Sequence, residues 1–239
     1  MATTPAPSGR PRRRVLSNPL ALAVLTLLAE QPRHPYDMAQ TLRSRRKEGS
    51  IRINFGSLYT VVQNLEKHGF IEASGTERAG RRPERTVYAI TESGRAEMHD
   101  WLSELLRTPA KEYPQFEAGL SLMGVLPPDE VIALLAERQQ ALDAQLASEE
   151  ASLGEIGGVL PRIFLIEGEY QLALLRAEAE WLRQVRAELE AGTFDGLAGW
   201  RQYHETGEVP AEFAEFDRQA KQAERGEQST QGAARHTHE

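Results

Sequence analysis

The 239-residue chain contains no cysteine. Disulfides, zinc–thiolate centres and cysteine nucleophiles are therefore excluded, and a reducing compartment fits. It also lacks any run of about 18 apolar residues that could cross a bilayer. The apolar stretch from Leu20 to Ala29 follows an arginine cluster but ends in Glu30-Gln31-Pro32. With no small-residue cleavage pattern there, a buried helix is expected rather than a leader. A Gly-x-Ser-x-Gly elbow, a phosphate loop and a dinucleotide fingerprint are all missing. His236 and His238 lie in a polar tail, His34 and His68 at expected helix ends. The carboxylates are spread along helical faces rather than paired for acid–base work. These absences point away from an enzyme, a metal site or a bound cofactor. They favour a cytoplasmic, nucleoid-associated protein with no membrane partner.

The charge is present but unevenly placed. The net value is −7, yet residues 1–90 carry 15 Lys/Arg against 7 Asp/Glu, a net of +8. Residues 91–239 carry a net of −15. A basic module joined to an acidic one suggests that only the first meets a polyanion.

Periodicity divides the chain further. Residues 1–17 form an aperiodic, arginine-rich arm, expected to be disordered, in which Arg10, Arg12, Arg13 and Arg14 could enter a minor groove. A first helix is expected over 19–30, with Leu20, Val24, Leu27 and Leu28 on its apolar side, ended by Pro32. Pro35 opens a second helix. Asn54 caps a third, about 55–68, which stops at Gly69. Two strands follow, Phe70–Ala73 and Thr86–Ile90, joined by a loop from Gly75 to Arg85. Thr91 caps a fourth helix reaching about Leu106. Three helices, a basic-tipped hairpin and a helix make a winged helix-turn-helix over 18–108. Pro109 and Pro114 mark a boundary. A helical domain over 114–205 is then expected, with helices near 115–123, 128–152 and 160–190, and residues 206–239 form a mostly disordered tail. The fold class is mainly α: an α+β winged helix-turn-helix with a two-stranded wing, plus a C-terminal α-helical dimerisation domain.

The third helix carries the recognition pattern. Leu58, Val61, Val62 and Leu65 recur at helical spacing and face the core. Ser57, Tyr59, Thr60, Gln63, Asn64 and Lys67 occupy the rest of its surface. Gln and Asn can pair bidentately with adenine, while Tyr, Ser, Thr and Lys suit phosphates. The helix start at Gly56-Ser57 offers N–H groups to a phosphate. Arg78, Arg81, Arg82 and Arg85 make the wing a compact cation. Double-stranded operator DNA is the expected partner. A winged-helix scaffold that binds protein instead of DNA is the alternative.

In the acidic half, Val131, Leu135, Leu142, Leu146 and Leu153 form one apolar stripe. Ile166, Tyr170, Leu174, Ala177, Trp181, Val185 and Leu189 form another. The second stripe is expected to cross the dyad of a homodimer, with Trp181 and Leu182 near the contact, because a dyad brings two half-site readers together.

Several short motifs now align in order. They are His34-Pro35-Tyr36-Asp37, Gly56-Ser57-Leu58-Tyr59, Leu65-Glu66-Lys67-His68-Gly69-Phe70-Ile71 and Arg82 through Gly94. Here the sequence resembles the PadR family of transcriptional regulators. That family shows His-Gly-Tyr-Glu, Gly-Thr-Leu-Tyr, Leu-Glu-x-x-Gly-Leu and Arg-x-x-x-Tyr-x-Leu-Thr-x-x-Gly in the same order. Pro35 replaces the usual glycine, and Val61-Val62 stands near a usual Pro and Leu. The second half is similar to longer-tailed members through Glu137-Arg138 and Glu178-x-Glu180-Trp181-Leu182. The resemblance implies a two-fold homodimer that represses a nearby gene and is released by a small molecule. Trp101, Tyr170 and Trp181 are the candidates it suggests for that effector's pocket.

Overall fold

The computed structural model describes residues 17–77 and 85–211, with 214, 215 and 218. The arginine arm before residue 17, the tip of the wing and most of the tail lie outside the described residues. Two compact units meet between Glu112 and Tyr113, within the span bracketed by Pro109 and Pro114.

The first unit is built around α1 (Pro19–Glu30). Asn18 caps it by accepting the Leu20 N–H at 3.0 Å, and Pro19 stands where no N–H is needed. The buried helix expected here is observed: eight of its residues are buried, from Leu20 to Leu28, and only Thr26 of that run is exposed. The reason is position: α1 touches α2 (Pro35–Ser44), α3 (Phe55–Lys67), α4 (Glu92–Arg107) and the second strand. His34 caps α2 by accepting the Tyr36 N–H through Nδ1 at 3.0 Å. A single 3-10 turn, Lys47–Gly49, joins α2 toward α3.

The wing pairs β1 (Ile71–Glu77) antiparallel with β2 (Arg85–Ile90). Both strands extend beyond the sequence expectation, which placed a loop from Gly75. The register shifts between Ala73 and Gly75. This bulge absorbs one residue, and pairing resumes with Gly75 opposite Val87. Arg33 adds an isolated bridge to Tyr88, with N–H···O bonds of 3.0 Å each way.

The second unit begins with α5 (Gln115–Leu122). Its frame is a helical hairpin of α6 (Pro128–Gly157) and α7 (Ile166–Ala191). The helix α6 runs past the expected end to the Gly157-Gly158 pair. The helix α7 starts later than expected, because Pro161 leads into a separate 3-10 turn, Arg162–Phe164. Gly192, at φ 73°, ends α7 in the left-handed conformation that glycine adopts freely. A final helix, α8 (Leu197–Thr206), was not expected. Its Leu-Ala-Gly-Trp start is a weak local signal. Packing supplies the rest: Leu197 and Trp200 join the hairpin core, and the Trp200 indole donates to the Leu126 carbonyl at 3.0 Å.

Candidate nucleic-acid interface

The helix α3 is anchored by four side chains. Leu58, Val61, Val62 and Leu65 are all buried in the first unit's core. Its start is fixed by Asn54, whose Oδ1 accepts the Ser57 N–H at 2.6 Å. Such caps contribute about 1 kcal/mol. The cap also corrects the expectation that the Ser57 N–H is free for phosphate, since Asn54 already occupies it. The C-terminus closes through Gly69, at φ 72°. The Phe70 N–H reaches the Leu65 carbonyl and the Gly69 N–H reaches the Glu66 carbonyl, at 3.0 and 2.9 Å.

The opposite face is polar and accessible. Tyr59 is 46% exposed, and Thr60, Gln63 and Lys67 are exposed with it. Tyr59, Gln63 and Lys67 lie four residues apart, so they follow one line along the helix. Ser57 and Asn64 are half-buried at its border. The Thr60 hydroxyl donates to the Gly56 carbonyl at 3.1 Å, leaving its lone pairs outward. This face therefore presents one amide, one phenol and one ammonium along roughly two turns, the inventory that reads base edges and grips phosphates.

Supporting contacts hold this helix against the wing. The Tyr88 phenol donates to the Glu66 carboxylate at 3.4 Å. Burial raises the Tyr88 pKa above its ordinary value, and Glu66 raises it further, so the donor stays protonated at neutral pH. Behind α2, Arg45 donates to Glu30 at 2.5 and 2.9 Å, and Arg33 donates to it at 3.0 Å. The Arg45 hydrogen bond holds Glu30 below the usual carboxylate range, with Arg33 helping.

Two cations stand out that sequence reasoning did not place in the interface. Arg43 and Arg45 are committed to Glu48 and Glu30. Arg46 and Arg52 are exposed and have no ion-pair partner among the described residues. Both lie in the connection that leads into α3. Arg46 adopts φ 54°, a left-handed conformation that costs a non-glycine residue on the order of 1–2 kcal/mol. The sequence signal was the basic run itself, but it could not tell which members are neutralised by neighbours. Of the four wing arginines, Arg85 begins β2. Arg78, Arg81 and Arg82 lie outside the described residues.

Residues 24–100 match the Transcriptional regulator PadR-like family. A Mycobacterium tuberculosis protein described as "Probable transcriptional regulator Rv1176c" is 27% identical over 193 residues, 70% of this chain and 96% of that protein. The chain belongs to the PadR-like family of transcriptional regulators. A Lysinibacillus sphaericus relative of uncharacterised role is 35% identical over 97 residues, covering 40% of this chain and 83% of its own. Among solved structures, Bacillus subtilis PadR in complex with operator DNA superposes with a TM-score of 0.60 at 21% identity. That match covers 72% of this chain and 99% of PadR. The Vibrio cholerae virulence activator AphA gives 0.54 at 19% identity, over 72% and 98%. These two likenesses establish the fold.

In this PadR-family chain the expected effector aromatics divide between the two units, Trp101 in the first and Tyr170 and Trp181 in the second. Trp101 is 4% exposed and belongs to the first unit's core. It packs as an ordinary core aromatic, which corrects its assignment to a pocket. Trp181 lines a shallow recess of about 280 Å³ with Phe116, Leu120 and Glu178. Phe116 meets its ring edge-on at 6.2 Å between centroids, and Arg138 lies over Phe116 at 3.7 Å while donating through Nε to Glu178 at 2.8 Å. Tyr170 stands 65% exposed, about 16 Å along α7 from Trp181 at 1.5 Å per residue.

The expected dimer stripe also divides. Leu182 and Leu189 are 0% exposed, packed with Ala179, Val131, Leu135 and Leu142 inside their own chain. They are intramolecular core, not dyad contacts. Val185 is half-buried against the same cluster. Tyr170, Leu174, Ala177 and Trp181 remain exposed. The geometry explains the split. Each four-residue step advances about 40° beyond a full turn, so from Ala177 to Leu189 the stripe rotates about 120°, from the outer face onto the inner one.

Proposed function

We propose that this regulator is a ligand-responsive repressor that binds a specific double-stranded operator as a two-fold homodimer in the cytoplasm. The observation that carries the reading is the α3 face, on which Tyr59, Gln63 and Lys67 stand accessible in one line over a rigid, capped helix. Ser57, Thr60 and Asn64 border it, and the wing arginines Arg78, Arg81, Arg82 and Arg85 supply charge for the phosphate backbone. One such module reads only a few base pairs, whereas two related by a dyad read half-sites about 34–36 Å apart. The exposed line of Tyr170, Leu174, Ala177 and Trp181 supplies apolar surface for that pairing. Support for a small-molecule effector comes from a relative: Bacillus subtilis PadR has been solved with p-coumaric acid as well as with operator DNA.

The test is selection of bound sites from random duplexes by the full-length chain. A palindromic consensus with half-sites one helical turn apart is expected. Replacing Gln63 with Ala should then cost about 1–3 kcal/mol at one base-pair position. Weak binding with no consensus, independent of salt, would instead favour a protein-binding scaffold.

A further inference from the structure

The corner between α7 and α8 forms an open cavity of about 400 Å³. Phe194, Trp200 and Tyr203 line it together with Val209 and Asp195. Three aromatic residues, one aliphatic side chain and one acidic residue thus line it, with Gly124 and Gly196 completing the wall. Asp195 is exposed and has no ion-pair partner among the described residues. The nearby arginine of α8, Arg201, is already paired with Asp129 at 3.3 Å. No Lys or Arg lines the cavity among the described residues. The Trp200 N–H, which could have served an anion, is spent on the Leu126 carbonyl, and His204 Nε2 lies 3.0 Å from the Gly124 carbonyl.

This chemistry is one-sided. Aromatic faces attract cations through their quadrupoles, and a carboxylate adds to that attraction. An anion would meet the negative faces of the rings and a like charge, with the Tyr203 hydroxyl as the one side-chain donor left among the described lining residues. A neutral apolar ligand would use the rings but gain nothing from Asp195.

We infer that this cavity is a binding site for an aromatic or otherwise lipophilic organic cation. The volume falls within the range of small-molecule pockets. The site is distinct from the recess at Trp181, and all of it is built within the second unit. Its binding chemistry stands alone; its consequence for regulation rests on the ligand-responsive reading above.

The test uses the full-length chain without DNA, titrated into the cationic dye rhodamine 6G while the dye's anisotropy is followed. The anionic dye fluorescein is the control for charge. Rhodamine 6G should bind and fluorescein should not. Asp195→Asn and Tyr203→Ala should each weaken rhodamine 6G by about three- to five-fold, as expected for one charge or ring contact at a partly exposed site. Glu205→Gln removes an equal charge from α8 without touching the cavity, and should leave binding unchanged. Trp200 is avoided because it belongs to the core, and circular dichroism verifies that the variants fold. Absence of rhodamine 6G binding, equal binding of both dyes, or an equal loss in Glu205→Gln would overturn the inference. Release of the selected operator by the dye is measured separately. Binding without release supports the site and counts against ligand-responsive repression.

Discussion

Gly94 shows how a single residue can be required by packing rather than by backbone conformation. A Cβ built there would lie 2.0 Å from the Phe70 carbonyl oxygen and 2.9 Å from the Ile90 side chain. The residue is where the first turn of α4 meets the turn between α3 and β1. The neighbouring hydroxyls close the same junction: Thr91 Oγ1 donates to the Gly69 carbonyl at 2.7 Å and accepts the Gly94 N–H at 3.1 Å. Ser93 Oγ reaches the same Gly69 oxygen at 2.8 Å. Gly94→Ala should therefore destabilise the first unit by about 2–4 kcal/mol, because backbone must move to admit one methyl group. Thermal denaturation of the full-length chain followed by circular dichroism measures this. A variant as stable as the parent would mean that α4 can slide without cost. The Thr-x-x-Gly motif is thus explained by a physical contact at its last position, visible only once the chain is folded.

At the scale of elements, the connection into α3 is the part that charge counting alone cannot resolve. Five basic residues fall between Arg43 and Arg52. Folding neutralises Arg43 with Glu48 and Arg45 with Glu30, leaving Arg46 and Arg52 in a position to meet a phosphate. Replacing both with Ala should weaken binding to every duplex and flatten the dependence of log K on log salt by about one to two units, at roughly 0.9 per phosphate contact. Changes at Arg43 and Arg45 should alter the slope less. A gel-shift or anisotropy series across salt concentrations makes the comparison. An unchanged slope in the double variant would remove this connection from the interface. The wing should behave like Arg46 and Arg52, but as a separate and additive set of contacts.

The whole molecule poses the question of what covers the outer face of α7. Trp181 is 43% exposed and Tyr170 65%, while the inner face is filled by the chain's own α6 and α8. A long hairpin that has satisfied its inner face and still presents Tyr170, Leu174, Ala177 and Trp181 has surface to give to a second copy. Trp181→Asp should convert a dimer to a monomer at micromolar concentration, since a charge buried in that contact would have no partner. Operator affinity should fall with it, because the second half-site is no longer bound intramolecularly. Sedimentation velocity reads the assembly. A parent chain that sediments as a monomer, yet binds a full palindrome no more tightly than a half-site, would sink the two-fold arrangement.

The sequence by itself determined whatever depends on residues within a few turns of one another. Asn18, His34, Asn54 and Thr91 mark helix starts because a cap bonds two or three residues ahead, and Gly69 and Gly192 mark ends because their backbone must turn left-handed. The anchored face of α3 and its polar opposite were legible for the same reason: both follow from a fixed 3.6-residue period. The tertiary structure alone decided which apolar faces are covered and by what. It took Leu182 and Leu189 into an intramolecular core and placed Trp101 among core residues. It also carried the wing strands past a bulge and made a helix of Leu197–Thr206 by docking Trp200. Each of these outcomes depends on contacts between residues far apart in the chain, and periodicity cannot distinguish a face awaiting a partner from one that its own chain will cover.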